Sequence, residues 1–151
     1  MFAVIRIRGR IGVRRRIEDT FKMLRLNAVN NCIVLPEIPA FKGMIQKIKD
    51  FVTYGAIDFD TFLKMLKKRG RLEGNERLTE EIVKKMGFDS IEKMARDVFE
   101  EKIKMKNIPK LNPVFRLTPP SKGFKSIKKH FPKGDLGHRG EKINELLERM
   151  I

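Results

Sequence analysis

The charge on this chain is not spread along it. Residues 1–16 hold six arginines and no acid, and residues 104–134 hold nine basic residues and no acid. Between them, residues 56–103 carry eleven basic and eleven acidic residues, so the middle is neutral. Those two blocks account for the whole net charge of +15 on 151 residues. Acid-free blocks repel themselves unless a polyanion neutralises them, which favours nucleic acid over an anionic membrane surface. Such an excess argues against a neutral metabolic enzyme and predicts no small-molecule substrate.

No apolar run approaches the roughly 18 residues of a membrane span. The N-terminus lacks the order of a signal peptide. One cysteine, Cys32, makes neither an internal disulfide nor a zinc site. These features predict a reduced, cytoplasmic protein with no cofactor and no membrane partner.

Hydrophobic residues make up 41% of the chain, enough for one domain's core. In Phe2 to Arg8, Ala3, Ile5 and Ile7 alternate with Val4, Arg6 and Arg8, a strand with one apolar and one partly basic face. A glycine-containing loop leads to a helix from about Arg14 to Leu26, with Ile17, Phe21 and Leu24 on one stripe. Cys32 to Leu35 is a buried strand stopped by Pro36. Pro39 opens a second helix, where its missing N–H costs nothing. Phe51 to Tyr54 reads as a third strand. The order β-α-β-α-β suits an α+β fold of ferredoxin-like type.

Residues 56–103 read as a helical insertion that packs, one helix ending at Gly70, one capped by Thr79, and one opened by an Asp89–Glu92 capping box. Residues 104–134 carry prolines 109, 113, 119, 120 and 132 and little periodicity. They predict an extended basic arm that orders on an anionic partner, with a possible short strand at Val114 to Leu117. A terminal helix with Ile143, Leu146, Leu147 and Met150 then docks back on the body. The expected divisions are 1–55, 56–103 and 104–151.

Between the first strand and first helix lie Arg8, Arg10, Arg14, Arg15 and Arg16 with Gly9 and Gly12. Glycines let backbone N–H groups approach an anion, and a helix N-terminus adds its dipole, so this loop predicts a phosphate contact. A similar loop on a similar fold occurs in acylphosphatases, but the Asn-x-x-Asp-Gly context they need is absent after Leu35. His130 and His138 stand apart, beside Lys129 and Arg139, and complete no metal or acid–base set. Ser121 has no base near it in sequence. The stretch Phe115 to Lys125 mixes cations, a Pro-Pro corner and Phe124, which either stacks on a base or packs as a satellite of the core. The aromatic strand motifs of an RNA-recognition motif are missing.

Several stretches, in order along nearly the whole chain, resemble one family. They are Ile7 to Tyr54 with Pro39-Ala40-Phe41-Lys42-Gly43-Met44-Ile45, then Lys68-Arg69-Gly70, Phe115 to Lys125, and Gly134 to Glu141. The family is that of large-ribosomal-subunit protein number thirty, whose eukaryotic counterpart is number seven. Glu37-Ile38-Pro39 stands where the family usually has Asp-Thr-Pro. Lacking a long basic N-terminal extension, the chain looks like the archaeal form.

The resemblance implies a ferredoxin-like core with a three-stranded antiparallel sheet. It also implies a structural, non-enzymatic role in the large subunit, with large-subunit ribosomal RNA and neighbouring ribosomal proteins as partners and 5S RNA as an open candidate. RNA contact is expected at Arg8, Arg10 and Arg14 to Arg16, and at Lys42 and Gly43 where the second helix begins. A third contact is expected along the arm at Arg116, Lys122, Lys125, Lys128, Lys129 and Lys133, with His138 and Arg139 beyond it. The alternative from charge alone is a nucleic-acid chaperone or nucleoid protein outside the ribosome. An acyl-phosphate hydrolase ranks below it.

Overall fold

The computed structural model describes residues 1–151, the side chain of Lys106 excepted. The elements run β1 (Phe2–Arg6), α1 (Arg15–Met23), β2 (Asn31–Leu35), α2 (Pro39–Ile48), β3 (Val52–Ala56), α3 (Phe59–Arg69), α4 (Glu80–Lys85) and α5 (Ile91–Phe99). Then follow β4 (Val114–Arg116), β5 (Gly137–His138) and α6 (Ile143–Met150). The β-α-β-α-β order of the first part is the one expected.

The sheet is larger than expected. It has five strands in the order β4-β2-β1-β3-β5, not three. The central β2-β1-β3 set is antiparallel, with Val4 opposite Ile33 on one side and Tyr54 on the other. β4 adds antiparallel to β2, and β5 adds parallel to β3. Both outer strands cover backbone groups that the edges of a three-stranded sheet would leave unpaired. β4 has the apolar pair Val114-Phe115 to announce it. β5 is two residues long and has no alternation to read.

Both faces of the sheet are buried. Val4, Ile33 and Val52 pack with Phe21, Leu24, Ile45 and Ile48 of the α1–α2 side. Ala3, Ile5, Cys32 and Val34 pack with Phe62, Met65 and Leu66 of α3, Met94 and Val98 of α5, and Leu146 and Leu147 of α6. The charge-balanced insertion and the terminal helix therefore form a second helical layer. Each fully buried Phe, Leu or Met in it contributes about 1.5–3 kcal/mol.

Local signals explain most of the boundaries. Pro39 sits at the start of α2 and Gly70 closes α3. The capping box moves by one residue: Ser90, not Asp89, caps α5 by accepting from the Lys93 N–H at 3.1 Å. Asp89 instead pairs with the Lys93 ammonium. Gly55 has a packing reason, because a Cβ there would lie 2.0 Å from the Gly140 carbonyl oxygen.

The partly basic face expected of β1 is not solvated. Arg6 is 3% exposed, with its guanidinium 3.9 Å from the Phe21 ring centroid. It donates to the carbonyls of Leu26 at 2.7 Å, Arg8 at 2.9 Å and Gly9 at 3.0 Å. Burial, then the nearby charge of Arg10, pulls its pKa down. Arg6 is thus a structural residue that gathers the loop after β1, not part of the outer basic surface.

Candidate nucleic-acid interface

The sheet register decides which basic residues can share a surface. Arg6 lies opposite Val52, Ile5 opposite Cys32, and Asn31 opposite Arg116. The end of β1, the starts of β2 and β3 and the end of β4 therefore sit together at one end of the sheet. The first basic loop leaves from β1 there. The second basic segment leaves from β4 there and returns to β5, where Gly137 lies opposite Thr53.

Two junctions tie these segments. Asn30 donates its N–H to the Arg6 carbonyl at 2.8 Å, and its carbonyl accepts from the Leu117 N–H at 3.1 Å. Asp50 joins the blocks directly. Its carbonyl accepts from Arg8 at 3.2 Å, and its carboxylate lies 3.0 Å from Nε2 of His130. A carboxylate between them lowers the repulsion of bringing two cationic segments together.

Within the first loop, Arg10 donates twice to the Asn27 carbonyl, at 2.7 and 2.9 Å. That holds the loop against the α1–β2 connection. Arg14, Arg15 and Arg16 are exposed, and no side chain caps the start of α1. Its first-turn N–H groups thus stand beside three free-standing arginines, the combination that attracts phosphate. Ile11 projects from the loop fully exposed.

On the second segment, Arg116, Lys122, Lys125, Lys128, Lys129 and Lys133 are all exposed. Asp135 anchors its base. The Asp135 carboxylate accepts from the Ser126 N–H at 3.1 Å and pairs with Arg139. Both side chains of that pair are under 10% exposed, so Arg139 is engaged within the protein and is not a free surface cation. His138 is exposed, with its ring 5.3 Å from that of Tyr54.

Lys42 and Gly43 do not join this end. α2 runs back from the end of β2, so its first turn lies at the opposite end of the sheet. There the Lys42 ammonium meets Glu37 at 3.3 Å and sits 5.5 Å from the Phe2 ring centroid. Space is open around Gly43, with no atom from outside its own stretch of helix within 4 Å of where a Cβ would be.

Two residues went unread in the sequence. Arg149 is half-buried in the net-acidic terminal helix, and Phe131 lies among lysines. Both line a cleft with the basic segment, a proximity that only the return of the chain creates. Phe124 is half-buried and packs against the core cluster, the satellite reading of it, and it also lines the cleft. Among the described residues no group of three His, Cys, Asp or Glu side chains is placed to hold a metal. Nor is any helix among them long and apolar enough to cross a membrane.

Comparison with known proteins decides the family. Residues 2–52 match the model of ribosomal protein L30p/L7e. The chain is 51% identical over 151 residues to large ribosomal subunit protein uL30 of Archaeoglobus fulgidus, covering 99% of each. The chain belongs to the uL30 family. The same protein of Methanosphaera stadtmanae is 48% identical over the full length of both, and that of Nanoarchaeum equitans 47% identical over 100% of this chain and 99% of its own. The likeness to archaeal uL30 proteins therefore extends through the insertion, the basic segment and the terminal helix, well beyond the matched core.

Proposed function

We propose that this uL30 chain is a structural constituent of the large ribosomal subunit, not an enzyme, and that it docks on large-subunit ribosomal RNA chiefly through one end of its sheet. The observation that carries the docking surface is the convergence of the two acid-free blocks there, joined through Asp50 and Asn30. Arg8, Arg10 and Arg14 to Arg16 supply one side of that surface. Arg116, Lys128, Lys129 and Lys133 supply the other, and Ile11 gives its rim an apolar tip.

Binding works by replacing condensed counterions with fixed cations. The buried Arg6 and the Asp135–Arg139 pair hold the loops in shape, which lowers the entropy lost on docking. Lys42 and the bare helix surface at Gly43 form a second RNA contact at the far end, where backbone can approach a phosphate. The charge-balanced outer surface of α4 and α5 is left to neighbouring ribosomal proteins.

The test is competition binding at several salt concentrations. Large-subunit rRNA competes with unrelated RNA, duplex DNA and 5S RNA for the full chain. Preference for large-subunit rRNA that survives moderate salt is expected. Equal, steeply salt-sensitive binding to every polyanion would overturn the reading and leave a general nucleic-acid chaperone.

A further inference from the structure

The cleft beside the basic segment is built for more than charge. It has a volume of about 330 Å³ and is lined by Lys122, Lys125, Arg139 and Arg149, by the rings of Phe124 and Phe131, and by the backbone of Gly123 and Gly134. We propose that this cleft receives a single unpaired nucleotide of RNA, its base against Phe124 and Phe131 and its phosphate on Lys122, Lys125 and Arg149. The proposal rests on the ribosomal-RNA reading above and names one subsite of that surface.

Three observations carry it. First, the charges are arranged unequally. Asp135 is buried and spent on Arg139 and the Ser126 N–H. Asp135 is the one carboxylate among the lining residues, so the three other cations have none of their own. Second, two of the three are held by backbone carbonyls. Arg149 donates to the Ser121 carbonyl at 3.3 Å while its own carbonyl accepts from the Ser121 N–H at 3.0 Å. Lys125 reaches the Pro132 carbonyl at 3.4 Å. Third, the aromatic surface is held in place. Phe131 lies 5.1 Å from the Arg139 guanidinium, and Phe124 is anchored in the core cluster.

Duplex RNA buries its base faces and would use only the cations. An extruded nucleotide uses both halves of the cleft, since every base has a face to stack and each stack contributes binding independent of sequence. The size is at the small end of ligand pockets, enough for one base and its phosphate but not for a helix. The rings separate a nucleotide from a bare phosphate, which would leave them uncovered.

The experiment uses the full chain. Short single-stranded RNA carrying 5-iodouridine is photo-crosslinked to it and the attached peptides are mapped by mass spectrometry. Affinities for that RNA and for a duplex with the same number of phosphates are measured in parallel at one salt concentration. Crosslinks at Phe124 or Phe131 are expected. F131L should weaken single-strand binding by about 5-fold or more while leaving duplex binding unchanged, and F131Y should restore it. K122A/K125A, two exposed positions that threaten no core, should weaken both.

Crosslinks confined to other segments would overturn the inference. So would single-strand affinity untouched by F131L in protein whose melting temperature matches the parent. If F131L fails to fold, the crosslink map and F131Y decide. Large-subunit rRNA binding is followed with the same proteins. Loss of rRNA preference in the parent chain would sink the ribosomal reading, whereas an rRNA-binding parent with an empty cleft would sink only the nucleotide site.

Discussion

Gly43 stands in the interior of α2 with open space around it. Glycine in a helix interior costs about 0.5–1 kcal/mol against alanine, so nothing in the fold repays its presence. Gly43→Ala should therefore raise thermal stability and, if the helix surface meets a phosphate there, weaken rRNA binding. A melting curve and a binding titration on the same protein check both signs. Cys32 is the opposite case, a side chain the fold hides completely. Burial pushes its thiol up to about 12 from an ordinary value near 9. The folded protein should resist alkylation at neutral pH. As the pH rises above about 9 the unfolded chain loses the Cys32 proton while the folded one keeps it, so stability should fall through that window. Chemical denaturation at pH 8 and pH 10, with Cys32→Ala as the control that lacks this slope, measures it.

At the scale of elements, β5 depends on one buried ion pair more than on its own two residues. Asp135→Asn keeps the shape but removes the charge opposite Arg139. Removing one partner of a buried pair costs about 3–5 kcal/mol. Urea unfolding should show a loss of that size, and faster hydrogen exchange at the Asp135 and Arg139 amides should accompany it. β4 was partly legible, because Val114 and Phe115 are apolar within a basic stretch. β5 was not, because its pairing with β3 joins residues 84 apart in sequence, Thr53 with Gly137. The helices of the insertion were legible from their spacing; of their expected caps, Thr79 stands before α4 without a side-chain hydrogen bond, and Ser90 takes the place of Asp89 before α5.

At the scale of the whole molecule, the binding surface is an electrostatic object. Each neutralised phosphate adds about 0.7–0.9 to the log–log slope of affinity against salt. Replacing Arg14, Arg15 and Arg16 with alanine should lower that slope by up to about 2–3 for rRNA while leaving the melting temperature nearly unchanged, since all three are exposed. Equal slopes for parent and variant would remove these residues from the interface.

Local pattern determined much of this protein. The period-2 and period-3.6 runs, Pro39, Gly70 and the two acid-free blocks required no tertiary information to read, because each depends only on near neighbours in the chain. They fixed the β-α-β-α-β order, the helical insertion, the basic character of the surface and, through matched stretches, the family. What tertiary structure alone decided is which charges are free. Arg6 and Arg139 look like any other arginine in the sequence, yet one is buried over Phe21 and the other is locked to Asp135. Lys42 looks equivalent to the other cations but lies at the far end of the sheet. The union of residues 8–16 with residues 116–134, and the cleft that brings Arg149 to Phe131, arise from strand register and chain return. Those are set by long-range pairing, which no local spacing encodes.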